Sequence, residues 1–322
     1  MPEIDDPPPD DIKANVIELR KRLDTIPHKW LDHNLLIGTW NIRAFGDLTK
    51  EWHSQEGDSP KRDFEAVLYI KEIISRFDVV AVQEVRGNIR ALRYLLKALG
   101  EHWGFILTDV TAGKAGNDER MAYLYDTRRV KPSGLAGELV IPEEWLKPDA
   151  TGQAAMQRQF ARTPYAVSFV SGNETFILVT LHVIYGTGAA DRVEELQAIA
   201  KWLADWARQE KSWGHNLIAL GDFNIDRNGD ANYQAFTSTG LTPAPELTKL
   251  PRTIFKSGKS NFFDQIAWFT DAQKAPILSL KYNNAAGNFD FVSLYPSLDE
   301  TEISWRISDH YPLWVEFAMD GG

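Results

Sequence analysis

NLIALGDFN (216–224) decides how this chain folds. LIAL is a short apolar run with no alternation, which reads as a strand buried on both faces. The run passes without a break into Gly221, Asp222 and Asn224. A carboxylate and an amide at the end of such a strand are held by a rigid scaffold, which is where α/β proteins present chemistry.

The same pattern recurs on either side. LLIGTWNI (35–42), DVVAVQEV (78–85) and TFILVTLHV (175–183) are apolar runs that end on Asn41, Glu84 and His182. HWGFILTDV (102–110), RMAYLYD (120–126), YAVSFVSG (165–172), QIAWFT (265–270), FDFVSLY (289–295) and YPLWVEFA (311–318) read as further strands. RDFEAVLYIKEIISRF (62–77), residues 88–99 and DRVEELQAIAKWLADWARQE (191–210) have the helical period between them. Strands and helices that alternate in this way give an α/β domain.

Residues 1–10 are acidic and Pro-rich and are expected to form a disordered tail. Ile12, Val16, Leu19 and Leu23 have helical spacing, so residues 11–30 should hold a helix packed on the domain. A single domain is expected over 31–320. Two connections, 44–60 and 133–160, are long enough to suggest a role in choosing the substrate.

The chain has 322 residues, with 43% hydrophobic and 25% charged, which suits a globular domain with a large core. It has no cysteine, which excludes disulfides, thiolate nucleophiles and zinc–thiolate centres. No run approaches the roughly 18 apolar residues of a membrane span. MPEIDDPPPDD is not a signal peptide. Cytoplasmic residence is the expectation, with secretion the alternative if a leader has been removed, and a monomer is expected. The net charge of −10 argues against a broad basic surface for gripping nucleic acid. It does not argue against meeting phosphate through bound cations.

Read in order, the strand ends give TWN (39–41), QE (83–84), LHV (181–183), GDFN (221–224), FDQI (263–266) and SDH (308–310). Any one of these residues is more often a turn, a cap or a satisfied core side chain. Taken together, Glu84, Asp222, Asp264 and Asp309, with the Asn41 and Asn224 carbonyls, are hard oxygen donors. They suit Mg²⁺ or Mn²⁺, and also Ca²⁺, better than a soft-ligand zinc site. His182 and His310 can donate to phosphate oxygens or move protons, and Asp264 can hold a histidine in one tautomer.

In this set and order, the sequence resembles the DNase I-like endonuclease/exonuclease/phosphatase superfamily over residues 39–310. The resemblance implies a four-layer α/β sandwich, with two packed mixed β-sheets flanked by helices. It implies that Asn41 and Glu84 bind the metal with Asp309 close by, and that a second metal near Asp222 and Asn224 is an option. Asp222 and Asn224 would face the scissile phosphate, with Asp222 orienting or deprotonating the attacking water. His182 and His310 would flank the phosphate. Glu119 would be the partner of His182 and Asp264 the partner of His310. Arg162 would approach phosphate, and Arg120 and Tyr185 are weaker candidates for the same task. Asn117 stands where some nucleases of the superfamily carry a tyrosine.

The resemblance implies a divalent-metal-dependent phosphodiester hydrolase, with nucleic acid, DNA or RNA, as the substrate. The alternative is a phosphatase or phosphodiesterase of a lipid or small-molecule phosphate. The N-Y-R and Cys-Asp-Arg signatures of the inositol phosphatases are missing, as is the Gly-x-Arg-x-Asp-Tyr segment of abasic-site endonucleases. A catalytically dead scaffold would be expected to have lost one of these carboxylates or histidines, and none is lost.

Overall fold

The computed structural model describes residues 2–111, 113, 116–147, 159–210, 216–256 and 261–319. In chain order the elements are α1 (Asp10–Arg22), β1 (Asn34–Phe45), α2 (Phe64–Ile74), β2 (Val79–Arg86), α3 (Arg90–Leu99), β3 (Trp103–Leu107), β4 (Glu119–Asp126), β5 (Lys131–Glu138) and α4 (Glu143–Leu146). There follow β6 (Tyr165–Ser171), β7 (Glu174–His182), α5 (Ala190–Glu210), β8 (Asn216–Asp222), α6 (Ala231–Thr237), β9 (Leu241–Pro243), β10 (Asp264–Phe269), β11 (Lys281–Asn288), α7 (Glu300–Arg306) and β12 (Leu313–Ala318).

The strands form two six-stranded sheets, ordered β11-β12-β1-β2-β4-β3 and β5-β6-β7-β8-β10-β9. Each sheet has one parallel pair at its centre, β1 with β2 and β7 with β8. The helices α2 and α5 make the crossovers that such pairs require. Alternation along the central strands produces the layers. Leu35 and Ile37 of β1 meet Ile218 and Leu220 of β8 in the core between the sheets. Leu36, Trp40 and Ile42 face the other way, into a core shared with α2 and α3. Leu217 and Ala219 face a third core beneath α5 and α6. Helices, sheet, sheet and helices make the expected four layers, and burial on both faces explains the unbroken apolar runs.

Three local expectations are corrected. FDFVSLY (289–295) is not a strand. It is a turn with one 3₁₀ segment at Val292–Leu294, and Phe289, Phe291 and Tyr295 are buried one by one. The strand lies just before it, in β11, a mostly polar edge strand whose exposed face removes the apolar signal. Within the connection 133–160, KPSGLAGE forms β5, a second exposed edge strand. Residues 148–158 of that connection lie outside the described residues. The tail is placed from Pro2 onward: Ile4 is 5% exposed in the α2–α3 core, and Asp5 Oδ2 lies 2.7 Å from Lys97 Nζ. One apolar side chain among acids anchors a segment that its composition alone marks as unfolded. α1 itself docks on α2, where Arg20 donates two 2.8 Å bonds to Glu72. Among the described residues no helix is long and apolar enough to cross a membrane.

Candidate active site

Strand register assembles the site. In the second sheet His182 of β7 stands opposite Asp222 of β8, which stands opposite Asp264 of β10. Three consecutive strands thus carry one row of imidazole, carboxylate and carboxylate. Gly221 permits the close approach: its φ is +134°, and a Cβ there would sit 2.1 Å from Leu181 O. In the first sheet Asn41 pairs with Gln83, which places Asn41 and Glu84 on adjoining strand ends.

Buried polar bonds lock the two sheets together at this edge. Gln83 Nε2 donates to Thr180 Oγ1 across the interface at 2.9 Å and to Thr39 Oγ1 at 3.2 Å. Asn41 Nδ2 donates to Asp222 Oδ2 at 3.0 Å. Ser308 Oγ donates to Asn41 O at 2.6 Å and accepts from His310 N at 3.0 Å, and Trp40 Nε1 donates to His310 O at 2.8 Å. The Trp of TWN and the Ser of SDH therefore position their neighbours. Two strand-end residues have left-handed backbones, Glu84 at φ 60° and Asn224 at φ 50°. For non-glycine residues this costs about 1 kcal/mol or more, and such strain is concentrated at functional sites.

An open cleft of about 1000 Å³ lies over this edge. It is lined by Glu84, Glu119, Arg162, His182, Tyr185, Asp222, Asn224, Asp309 and His310, together with Asn117, Arg192 and Phe263. Asp222 is nearly fully buried at its centre. Its Oδ1 accepts from Asn224 N at 2.9 Å, and its Oδ2 lies 3.7 Å from His182 Nε2 and 4.0 Å from His310 Nε2. Each histidine has a carboxylate behind it. His310 Nδ1 is 2.7 Å from Asp264 Oδ2, and His182 Nδ1 is 3.2 Å from Glu119 Oε2, out of line for a good hydrogen bond. Burial opposes protonation of His310, but Asp264, Asp222 and Asp309 outweigh it and hold its pKa well above the usual imidazole range.

Glu119 sits among donors. Arg162 Nε donates to it at 2.6 Å, Asn117 Nδ2 at 2.5 Å, and Arg86 Nη1 lies 3.3 Å away. Burial alone would raise its pKa. His182, Arg162 and Arg86 reverse that and bring it down to about 2. A lowered folded-state pKa adds stability that is complete above the unfolded value near 4.5 and is lost as pH falls toward 2. Glu119→Gln should therefore lower unfolding free energy at pH 7 by about 1–3 kcal/mol, an order-of-magnitude figure from about 1.4 kcal/mol per pH unit. Urea melts of the two proteins should converge as pH drops from about 4.5 toward 2. A gap that stays constant over that range contradicts the assignment.

The donor set fits a hard divalent cation. Asn41 Oδ1 and Asp309 Oδ1 are buried without a hydrogen-bond partner, although Asn41 is bonded to Asp222 and Asp309 lines the cleft with Glu84 and Asp222. Unpaired buried oxygens are costly unless something fills their lone pairs. Asn224 Nδ2 is tied to Val183 O at 2.7 Å, which leaves its carbonyl oxygen free. Asp222, Asp264 and His310 also bring ligand atoms within 4.8 Å of one another. The 2.7 Å bond between His310 and Asp264 commits that pair to each other, so Asn41 Oδ1 and Asp309 Oδ1, with Glu84, whose Oε2 also accepts from Ala44 N at 2.8 Å, are the better candidates to hold a cation.

Two of the weaker candidates stand away from the centre of the cleft. Arg120 lies on β4 opposite Val85, its Nε is buried without a partner, and it does not line the cleft. Tyr185 reaches only the rim, 63% exposed, with its ring 5.2 Å from the Arg192 guanidinium, so it is not placed as a hydroxyl donor at the centre. Cleft-lining residues outside the sequence candidates include Arg192, in the first turn of α5, which donates to Asp226 at 2.7 Å, and Phe263, whose ring stacks 5.7 Å from that of His310. Arg86, two places after Glu84, touches Glu119 at 3.3 Å without lining the cleft.

The sequence pattern of the Endonuclease/Exonuclease/phosphatase family matches residues 38–310, which span every strand end described above. The chain belongs to this family. It is 27% identical over 301 residues to a deoxyribonuclease of Thioalkalivibrio sp. (strain K90mix), covering 88% of this chain and 71% of that one. It is 26% identical over 296 residues to deoxyribonuclease-1 of Oryctolagus cuniculus, covering 88% and 93%. Among solved structures, a mannosyl-6-phosphatase of Bacteroides thetaiotaomicron superposes with a TM-score of 0.56 at 19% identity, over 88% of this chain and 99% of that one. TDP2 of D. rerio, complexed with single strand DNA product, gives 0.55 at 16% identity, over 88% and 98%. Both structures share the fold. As a member of the endonuclease/exonuclease/phosphatase family the chain is a hydrolase of phosphoester bonds.

Proposed function

We propose that this member of the family is a divalent-metal-dependent nuclease that cleaves phosphodiester bonds in DNA or RNA. One observation carries the reading: two histidines, each backed by its own carboxylate, flank Asp222 at 3.7 and 4.0 Å. That spacing leaves room for a phosphate between two imidazole donors, with a carboxylate beneath it to take a proton.

Asn41, Glu84 and Asp309 would hold a divalent cation, with Asp222 and Asn224 offering a second position, and it would supply charge neutralisation at the phosphate and the leaving oxygen. Asp222 orients and deprotonates the attacking water. His182 and His310 donate to the phosphate oxygens, and His310, kept protonated by three carboxylates, can pass a proton to the leaving oxygen. Asp264 orients the His310 ring through its 2.7 Å bond, and Glu119 lies 3.2 Å behind that of His182. Arg162 is fixed to Glu119 through Nε, and its Nη1 has no partner, so it is available to a phosphate oxygen. Similarity to two deoxyribonucleases supports a nucleic-acid substrate.

The test is hydrolysis with Mg²⁺ or Mn²⁺ of a panel: supercoiled DNA, single-stranded DNA, RNA, inositol phosphates and sphingomyelin. Release from nucleic acid is expected. Release from inositol phosphate or sphingomyelin with intact nucleic acid would overturn the reading in favour of a small-molecule or lipid phosphoesterase.

A further inference from the structure

The chain carries a net charge of −10, yet one face of α3 collects cations. Lys50, Arg90, Arg93 and Lys97 line a depression of about 640 Å³ with Asn88 and Tyr94. Arg90, Arg93 and Lys97 are spaced three and four residues apart, which stacks them on one side of the helix. Arg90 is held by both oxygens of Asp47 at 2.8 and 2.9 Å. Among the described residues, Arg93 and Lys50 have no carboxylate within ion-pair distance, and the Lys50 ammonium lies 5.7 Å over the Tyr94 ring.

The short segment after β2 links the depression to the catalytic cleft, since Glu84 lines the cleft and Asn88 the depression. Arg86 contacts two cleft-lining residues, Glu119 at 3.3 Å and Asn117 O at 2.7 Å, and Asn88, two residues on, lines the depression. Asn88 is four positions beyond Glu84, at most about 14 Å of extended chain. The protein's own anions already occupy this face. Lys97 Nζ lies 2.7 Å from Asp5 Oδ2 and 3.8 Å from Glu3 Oε2, and Glu3 lines the depression. Between them Ile4 is buried as an anchor.

We infer that this face of α3 binds the sugar–phosphate backbone of the nucleic acid leaving the cleft, and that the acidic segment 2–6 covers it when no strand is bound. The inference rests on the nuclease reading. It explains how an acidic chain can hold a polyanion: affinity is confined to one channel, where phosphates replace carboxylates on cations that are already positioned.

The test is binding of a 30-nucleotide phosphorothioate strand, followed by fluorescence anisotropy across a salt series in Mg²⁺. The double variant Lys50→Gln/Arg93→Gln should bind about 10-fold more weakly at 0.1 M salt, with a salt slope shallower by about 1–1.5, as expected for two lost phosphate contacts. Hydrolysis of bis(4-nitrophenyl) phosphate, too small to leave the cleft, should be unchanged, which also reports that the variant is folded. Glu3→Gln/Asp5→Asn should move binding the other way, to tighter. A charge-matched control on the distant edge strands, Lys131→Gln/Lys281→Gln, should have little effect. Wild-type binding and slope in the α3 variant would overturn the proposal, as would an equal loss in the control. Failure of the nuclease reading shows separately, as ordinary DNA left intact while the small diester is hydrolysed.

Discussion

Asp222→Ala is expected to lower kcat on DNA by about 10³-fold, within the 10²–10⁴ range that a positioned general base contributes. The side chain has no spare role. One oxygen accepts from Asn224 N and the other from Asn41, and both histidines converge on it. Removal therefore deletes the proton acceptor and also frees the two amides that shape the cation positions. The fold should survive, because Asp222 is crowded by Asp264 and its loss relieves like-charge repulsion at the strand ends. The loss should appear in kcat more than in KM, since the group acts in the transition state. A purified, folded Asp222→Ala protein that retains kcat to within about threefold would remove Asp222 from the chemistry.

His310→Ala is expected to cost about 10²–10³-fold in kcat, from loss of a proton donor in contact with the phosphate. Asp264→Asn keeps the ring but withdraws the charge at 2.7 Å that holds it protonated and oriented, so the loss should be smaller, about 10-fold or more. If Asp264 works only through His310, the double variant should be no slower than His310→Ala alone, which is the non-additivity of a unit. Independent, multiplying losses would show that Asp264 acts on substrate or cation directly. Wild-type turnover by His310→Ala would end its catalytic role.

The sheets and the site are legible in the sequence for the same reason. Strands buried on both faces, such as β1, β2 and β8, must be apolar throughout, so the polar residue that ends each one stands out. That contrast alone marks Asn41, Glu84 and Asp222. Edge strands carry no such signal. β11 reads KYNNAAGN and β5 reads KPSGLAGE because β11 is largely open to solvent and β5 is exposed along almost its whole length, and FDFVSLY, next to β11, looks more like a strand than β11 does. The tail reads as disordered because composition averages over Ile4, while burial turns on that one side chain. At the site, residues on strands stand out and residues whose position depends on loop paths do not. Arg192 enters the cleft from the first turn of α5, by a route that no short-range pattern encodes, and Phe263, although it opens the FDQI segment, is apolar and gives no polar contrast. Arg120 shows the converse: it lies on a strand next to Glu119, yet its side chain stays outside the cleft.

The most direct test of metal-dependent phosphodiester hydrolysis at this cleft is chelation. Purified protein is incubated with supercoiled DNA in Mg²⁺, with excess EDTA, and after Mg²⁺ is restored, alongside Glu84→Ala. The account predicts nicked and linear DNA in Mg²⁺, intact DNA in EDTA, recovery on re-addition, and a higher Mg²⁺ requirement for Glu84→Ala. Undiminished cleavage in EDTA would contradict it.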